Sequence, residues 1–278
     1  MSLNIRGLLV SQISYILITF IFFPQRLQCR HYLNFRKDDW VKEQAFLDAK
    51  KIVEERYPNS QAAILAGSVV RYEATETSDL DIVVFDFSIA NSYRESFFSL
   101  NWPVEVFVHN QTSYREFFNE DCKKGIPSLP RMIVEGMPLK GAKHIHSIKE
   151  EAANRLAEGP EVWNEETIQL KRYFITDTAE DIKGATHRAE GIFTANLLAD
   201  QLHEFYLRTN QQWIGKGKWV IRSLKLYDED FAKQFTRAFD QFYRTGETEE
   251  IEKLVESTLE PFGGPLFDGF SVGKSNDI

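Results

Sequence analysis

The sequence is poor in cysteine and has no excess of basic residues. Its two cysteines, Cys29 and Cys122, are too few for a disulfide framework and show no CxxC spacing, which favours a cytoplasmic protein. The 33 lysines and arginines are outnumbered by 41 aspartates and glutamates, which gives a net charge of −8. This balance argues against a broad nucleic-acid-binding surface. It fits a small cationic substrate, or a phosphate ligand that is held through a metal ion.

Two familiar sites are incomplete in this sequence. The GxxxxGK[ST] spacing of a phosphate-binding loop is absent around Lys216 and Lys218, and Trp219 stands where Ser or Thr is required. Two interpretations of this segment remain: a helix–helix turn with solvated lysines, or a turn from which Lys218 reaches nucleotide phosphates. His144 and His146 have no cysteine or second histidine pair nearby, so no zinc site is predicted.

One long apolar run, residues 8–23, stands near the start of the sequence. It is somewhat shorter than the about 20 residues that a membrane span needs, and no small-residue cleavage site follows it. Three interpretations remain: a start codon assigned too far upstream, a loosely attached apolar arm, or a membrane anchor. The extension over residues 1–38 carries no predicted chemistry.

The rest of the sequence divides into a mixed part and a helical part. A helix is predicted to begin at Asp38-Asp39, and apolar runs predict strands at Ala62–Ala66, Leu80–Phe85 and 104–108. Helical spacing returns at 113–122 and Ser128–Glu135. Beyond about residue 148 the patterns are helical, at 148–158, 164–183, 185–209, Lys218–Tyr227, 229–243 and 248–259. We therefore predict an α+β chain: a mixed β-sheet flanked by helices over 39–145, then an all-α domain over 146–278.

The most informative stretch, residues 64–85, joins the first two predicted strands. The first strand runs into Gly67-Ser68, and Asp79-Leu80-Asp81 opens the second strand about ten residues later. Gly67 permits a tight turn and a close approach to a ligand, and Ser68 can offer its hydroxyl and nearby N–H groups to a phosphate. Asp79 and Asp81 project to the same side of an extended segment. Paired carboxylates suit Mg²⁺, which in turn binds phosphates.

A third carboxylate is predicted on a neighbouring strand. Glu105 alternates with Val104 and Val106, so it can face the aspartate pair. The alternative is that Glu105 faces water and that Glu120 or Asp121 takes its place. Two metal ions held by such a cluster would activate an attacking hydroxyl and neutralise a leaving pyrophosphate.

This layout resembles the signature of the DNA polymerase β-like nucleotidyltransferase superfamily, in which Gly-Ser is followed about ten residues later by Asp-x-Asp. The resemblance implies that Gly67 and Ser68 seat a nucleoside triphosphate and that Asp79 and Asp81 bind the metal ions, with Glu105 as the third acidic ligand.

Three further residues bear on the resemblance. Arg71 matches a common basic position of the family, and Ser78 matches the frequent Ser-Asp-x-Asp form. Tyr72 departs from the pattern, because a glycine usually follows the basic residue. The resemblance implies that Arg71 and Ser78 take part in binding the nucleotide.

Residues 172–177, 213–219 and 263–266 resemble, more weakly, stretches of the helical domains of small-molecule nucleotidyltransferases of the aminoglycoside-modifying type. The resemblance implies an enzyme that uses Mg²⁺ to move a nucleoside monophosphate from an NTP, with ATP preferred, to a hydroxyl of a small cationic molecule, releasing pyrophosphate. An antibiotic, which would make this a resistance enzyme, and an ordinary metabolite both remain open as acceptor.

The sequence disfavours two other functions. An antitoxin-type minimal nucleotidyltransferase that acts on a partner protein is disfavoured by the long helical part of the chain. A non-catalytic nucleotide-binding module is disfavoured by the presence of both Asp79 and Asp81. No nucleic-acid or membrane partner is expected, and a homodimer remains open.

The predicted acceptor site is in the helical part. Asp177 and Asp181 are four residues apart and share one face of a predicted helix, where like charges repel each other. They form either a solvated acidic face, offset by Lys183 and Arg188, or the wall that receives a cationic acceptor. In the second case Asp177 is also the candidate general base for the acceptor hydroxyl.

Overall fold

A computed structural model describes residues 28–273, with side chains from residue 40 onward. The helices in this range are α1 (Gln28–Arg56), α2 (Gly67–Val70), α3 (Ser113–Lys123), α4 (Ser128–Glu135), α5 (Ala142–Ala157), α6 (Glu165–Gly184), α7 (Arg188–Thr209), α8 (Lys218–Tyr227), α9 (Glu229–Thr245) and α10 (Glu249–Leu259), with a 3-10 turn at Glu260–Phe262. The strands are β1 (Ala62–Ala66), β2 (Leu80–Phe85), β3 (Tyr93–Ser99), β4 (Trp102–His109) and β5 (Met137–Lys140).

The strands form one mixed sheet in the order β3-β4-β2-β1-β5. The central strands β2 and β4 are parallel, with Asp81 opposite Glu105, and the other neighbouring strands are antiparallel. Because β2 and β4 start at the same edge of the sheet, residues at their first positions are brought side by side.

Alternation of side chains along the strands gives the sheet two apolar faces. Leu80, Ile82 and Val84 of β2 pack toward α1, where Ile52 and Val53 are buried. The other face is covered by α3, α4 and α5, and its buried side chains include Val83, Phe85, Tyr114, Phe118, Leu129, Ile133, Ile145 and Ile148. Asp81 has the same parity as Val83, so it lies on the face that α3, α4 and α5 cover.

Helices α6 to α10 enclose a second core. In α9, apolar side chains recur every three or four residues and are buried, namely Phe231, Phe235, Ala238, Phe239 and Phe242. Asp228 begins this helix by accepting hydrogen bonds from the backbone N–H groups of Asp230 and Phe231. The predicted fold class, a mixed sheet with helices followed by a helical part, is confirmed.

The first helix is longer than predicted. The prediction that it begins at Asp38-Asp39 was wrong, because α1 is already helical at Gln28 and continues through both aspartates to Arg56. Polar residues that can cap a helix are also tolerated inside one, so the capping signal misled here. The apolar run at 8–23 lies outside the described residues. Within those residues, no helix combines the length and apolar character that crossing a membrane requires.

Two edge strands had no counterpart in the prediction. β3 is an edge strand with exposed side chains on both faces, among them Tyr93 and Phe98, and its polar residues weaken the strand signal. β5 contains Pro138, which argues against a strand in the middle of a sheet but is allowed at an edge. Neither segment carries the continuous apolar pattern that made β1 and β2 predictable.

The helix α5 crosses the predicted boundary between residues 145 and 146. It begins at Ala142, and Ile145, Ile148 and Ala152 pack on the sheet with α3 and α4.

The chain after the 3-10 turn is irregular. Its G-x-S-x-G sequence at 269–273 therefore does not form the strand-to-helix turn that a hydrolase nucleophile requires.

Candidate active site

The Gly-Ser turn lies directly after β1. Gly67 has a φ of +78°, a left-handed value that favours glycine. The Ser68 hydroxyl donates a hydrogen bond to Oγ of Ser78 at 3.1 Å, and Oγ of Ser78 also accepts the backbone N–H of Thr75 at 2.8 Å. Ser68 lies inside α2, whose N-cap residue is Ala66, so it is not a helix cap. The turn and the segment before β2 are thereby held together.

Tyr72, where the resemblance predicts a glycine, has a backbone conformation that favours glycine. Its φ is +60°, again left-handed. The ammonium group of Lys42 lies 3.8 Å from the centroid of the Tyr72 ring and donates a hydrogen bond to the carbonyl of Val70. This cation–π contact and hydrogen bond support a conformation that side chains rarely adopt.

The three predicted carboxylates come together at the shared edge of β2 and β4. Asp79, Asp81 and Glu105 each offer one oxygen, and these oxygens lie within 4.8 Å of one another. The three residues are partly buried. Neither of the alternatives to Glu105 joins this group, since Asp121 accepts a hydrogen bond from the backbone N–H of Leu129 and Glu120 pairs with Lys124.

The electrostatics of the cluster fit a cation. Burial and the neighbouring charges of Asp79 and Glu105 raise the pKa of Asp81 to about 6. Arg71 and Lys218 oppose this effect but do not cancel it. Three carboxylates at this distance repel one another, and a divalent cation with its preference for hard oxygen ligands would relieve the repulsion.

Glu105 has an additional partner that the sequence did not indicate. Its Oε2 accepts a hydrogen bond from Nη2 of Arg94 on β3 at 2.6 Å, in an ion pair between neighbouring strands. The guanidinium of Arg94 also lies 4.8 Å from the ring centroid of Phe107. The third carboxylate is therefore fixed by an arginine of the edge strand, while Asp79 and Asp81 have no such partner among the described residues.

A cavity of about 410 Å³ opens in front of the two aspartates. Its walls come from both parts of the chain: Gly67, Ser68, Arg71, Asp79, Asp81, Ile126, Pro127, Ser128, Arg131, Met132, Glu135, Ile214, Gly215, Lys216, Lys218 and Trp219. The backbone N–H of Ile214 donates to the carbonyl of Gly125 at 2.9 Å, which ties the two walls together. Glu105 does not line this cavity.

Lys218 and Arg71 line the cavity together with the aspartates. Lys218 is exposed at the start of α8. Arg71 is committed to protein partners, since it forms ion pairs at 3.0 Å with both Glu73 and Glu135. Of the predicted nucleotide-binding residues, Gly67, Ser68, Arg71 and Lys218 face the cavity, whereas Ser78 acts through its bond with Ser68.

The predicted acceptor residues are elsewhere. Asp177 and Asp181 are both exposed on α6, and neither lines the cavity. Two residues that line the cavity were not predicted from the sequence to contact a ligand: Arg131 of α4 and Trp219 of α8. The only signal for Arg131 was a lone arginine on an amphipathic helix, which is ordinarily a solvated side chain.

One family model and one solved structure are similar to this chain. Residues 48–86 match the family model of the nucleotidyltransferase domain. No curated protein matches the chain significantly in sequence. Among solved structures, a nucleotidyltransferase-like protein from Exiguobacterium sibiricum 255-15 is similar at 13% identity and a TM-score of 0.42, over 78% of this chain and 73% of its own.

The family match covers β1, the Gly-Ser turn and the Asp-x-Asp motif. These residues are therefore similar to a nucleotidyltransferase domain, the class of protein that the sequence resemblance implies. The general activity of that class is the transfer of a nucleoside monophosphate.

Proposed function

We propose that the protein transfers a nucleoside monophosphate from ATP to a hydroxyl group of a small cationic molecule, using Mg²⁺ and releasing pyrophosphate. One observation carries the proposal. Three carboxylate oxygens lie within 4.8 Å of one another beside a Gly-Ser turn, and two of these carboxylates face a cavity lined by basic side chains.

The donor set supports magnesium as the metal. Asp79, Asp81 and Glu105 offer only carboxylate oxygens, the ligand type that Mg²⁺ prefers, and no histidine or cysteine belongs to the group. When bound, Mg²⁺ supplies positive charge that stabilises a polyphosphate and a developing alkoxide. Asp79 and Asp81 are the residues that would hold it toward the cavity, with Glu105 behind them.

The remaining residues bind different parts of the substrate. Gly67 and Ser68 bind the triphosphate through backbone N–H groups and the hydroxyl, and Lys218 adds charge from the helical part. The acceptor oxygen forms a bond to the α-phosphorus, and the bond from that phosphorus to the bridging oxygen breaks. Pyrophosphate leaves with the electron pair, and the hydroxyl proton passes to a base; Asp177, the candidate from the sequence, does not line the cavity.

The cationic acceptor is supported by charge. The chain has a net charge of −8, and Asp177 and Asp181 present two carboxylates one helical turn apart on α6. A substrate that carries amino groups would be attracted to such surfaces. An aminoglycoside, a lincosamide-like compound and a cationic metabolite all satisfy this requirement.

The proposal is tested by incubating the protein with Mg²⁺, ATP labelled at the α-phosphate and a panel of hydroxylated cationic compounds. We expect a labelled product and an equal amount of pyrophosphate with at least one of them. A thermal-shift titration with Mg²⁺-ATP shows whether nucleotide binds at all, because a ligand that binds only the folded state raises the melting temperature. A folded protein without such a shift would contradict the proposal.

A further inference from the structure

The indole ring of Trp219 makes cation–π contacts with three arginines from different parts of the chain. The guanidinium carbons of Arg131, Arg71 and Arg222 lie 4.5, 5.2 and 5.3 Å from the centroid of this ring. Arg131 comes from α4, Arg71 follows α2, and Arg222 belongs to α8 together with Trp219. The indole therefore holds three positive charges at the junction between the sheet and the helical part.

Two of these arginines are neutralised by protein carboxylates. Arg71 pairs with Glu73 and Glu135, both at 3.0 Å. Arg222 pairs with Glu73 at 2.9 Å and does not line the cavity. The pair between Arg222 and Glu73 joins the two parts of the chain, and both arginines are less free to bind a ligand.

Arg131 is different. Its side chain forms no hydrogen bond and no ion pair with any residue in the described part of the chain, although it is half-buried and lines the cavity that contains Ser68 and the two aspartates. Burial lowers the pKa of Arg131, with Arg71 acting in the same direction and Glu135 against it. An arginine nevertheless keeps its charge at neutral pH, so the cavity wall contains a partly buried cation that forms no ion pair with the described residues.

The chemistry of the site suggests what the counter-ion is. Asp79 and Asp81 mark the acidic side of the cavity, and Arg131 and Lys218 are basic residues of the same cavity. A guanidinium presents a planar set of N–H donors that matches two phosphate oxygens at once. Stacking on Trp219 keeps this plane in place before the ligand arrives, which reduces the entropy lost on binding.

We propose that Arg131, held against Trp219, binds the β- and γ-phosphates of the nucleotide, the part that leaves as pyrophosphate. This inference rests on the proposed function for the identity of the ligand. It assigns to Arg131 a role in selecting triphosphates over monophosphates. Lys218 adds charge in the same cavity but is exposed, and its ammonium group has rotatable donors, whereas the guanidinium of Arg131 has a fixed planar set of donors.

The test measures the dissociation constants of inorganic pyrophosphate, Mg²⁺-ATP and AMP for the wild type, Arg131→Gln and Arg131→Lys. We expect Arg131→Gln to weaken pyrophosphate and ATP binding at least about tenfold, the loss of one hydrogen bond between charged groups. Arg131→Lys keeps the charge but not the fork, so it should lose less. The affinity for AMP should not change in either variant.

Arg222→Gln is the matched control, because Arg222 contacts the same indole but does not line the cavity. It should keep the wild-type affinity for pyrophosphate. Equal losses in Arg222→Gln and Arg131→Gln would overturn the inference, since they would show damage to the stacked cluster rather than loss of a phosphate contact. Melting temperatures of all variants identify any that do not fold, and Arg131→Lys then decides the question.

The outcomes separate this inference from the proposed function. If the wild type binds ATP and Arg131→Gln binds it equally well, the role of Arg131 is overturned and the proposed function stands. If the wild type binds pyrophosphate through Arg131 but does not bind ATP, the phosphate site stands and the proposed function fails. A wild type that binds none of the three ligands contradicts both.

Discussion

A Cβ atom added to Gly67 would lie 1.9 Å from Oδ2 of Asp81, far closer than a non-bonded contact of a Cβ atom allows. The turn glycine and this aspartate of the carboxylate cluster, 14 positions apart in the sequence, are therefore in direct contact. The missing side chain makes room for the carboxylate, and the left-handed φ of +78° at Gly67 makes the turn itself. One residue type satisfies both requirements.

Gly67→Ala tests this relationship. The alanine must displace the Asp81 carboxylate, so we expect loss of metal binding and of transfer activity, together with about 1 kcal/mol of backbone strain. Gly269→Ala is the control, because Gly269 has a φ of +80° but nothing within 4 Å of the added Cβ. Denaturant titration should show the strain in both variants, while only Gly67→Ala should lose activity. Normal turnover in Gly67→Ala would mean that the carboxylate position does not matter.

Asp81→Asn removes one charge from the carboxylate cluster without changing the size of the side chain. We expect transfer activity to fall by at least about 10²-fold, the usual effect of removing one electrostatic stabiliser. The melting temperature in chelator should not fall, because burial and two neighbouring carboxylates already disfavour the charged form of Asp81. Asp240→Asn, in an exposed ion pair with Arg244, serves as the control and should keep full activity. Near-normal turnover in Asp81→Asn would remove this residue from the mechanism.

The sequence predicted the parts of the site that are close together along the chain. Gly67, Ser68, Asp79 and Asp81 could be placed because β1 and β2 are continuous apolar runs with one turn between them. Glu105 could be added because strand parity fixes which side chains share a face. Local patterns of this kind need no knowledge of the tertiary structure.

The parts that were missed depend on tertiary contacts. Nothing near Arg131 in the sequence indicates that Trp219, 88 positions later, stacks on it. Arg94 was missed because its strand is an exposed edge, where polar residues hide the alternation. Contacts between residues far apart in the sequence depend on how the two cores pack against each other. Neither segment therefore shows a sequence pattern that predicts them.

Ser68→Ala tests the phosphate-binding role of the turn. If the hydroxyl contacts the triphosphate, ATP binding should weaken by roughly 1.5–3 kcal/mol, the range for a hydrogen bond to a charged group. Stability should fall by about 1 kcal/mol at most, because the variant loses only the bond to Ser78. Ser60→Ala is a matched control: its buried hydroxyl donates to the Tyr57 carbonyl and does not line the cavity. Equal ATP affinities for the wild type and Ser68→Ala would rule out the contact.

His109 should make the protein sensitive to mild acid. It is 3% exposed at the end of β4, and burial lowers its pKa to about 4. Between that value and the ordinary value of about 6.5, the unfolded chain binds the proton and the folded chain does not, so stability falls as the pH is lowered. The loss from pH 7 to pH 4 attributable to this residue is roughly 3 kcal/mol.

The measurement is the free energy of unfolding in urea at both pH values. His109→Gln should lose less stability on acidification than the wild type by about that amount. His146→Gln, at an exposed histidine beside Glu150, should follow the wild-type profile. Identical pH dependence in the wild type and His109→Gln would show that the buried imidazole is not the responsible group.

Asp177→Asn tests the proposed acceptor wall. Because Asp177 is exposed and does not line the cavity, the dissociation constant of Mg²⁺-ATP should be unchanged. If Asp177 receives a cationic acceptor, KM for that acceptor should rise in Asp177→Asn, and the rise should be smaller for acceptors with fewer amino groups. If Asp177 also takes the hydroxyl proton, kcat should fall as well. Asp181→Asn, one turn further along α6, should change KM alone. Glu180→Gln, at an exposed position between them, is the control for a general loss of surface charge. Unchanged kinetics in Asp177→Asn would show that this face of α6 is a solvated surface. The next candidate for the acceptor site would then be a cavity of about 800 Å³ between α1 and the β3–β4 turn. Its walls include Trp40, Trp102 and Asp48.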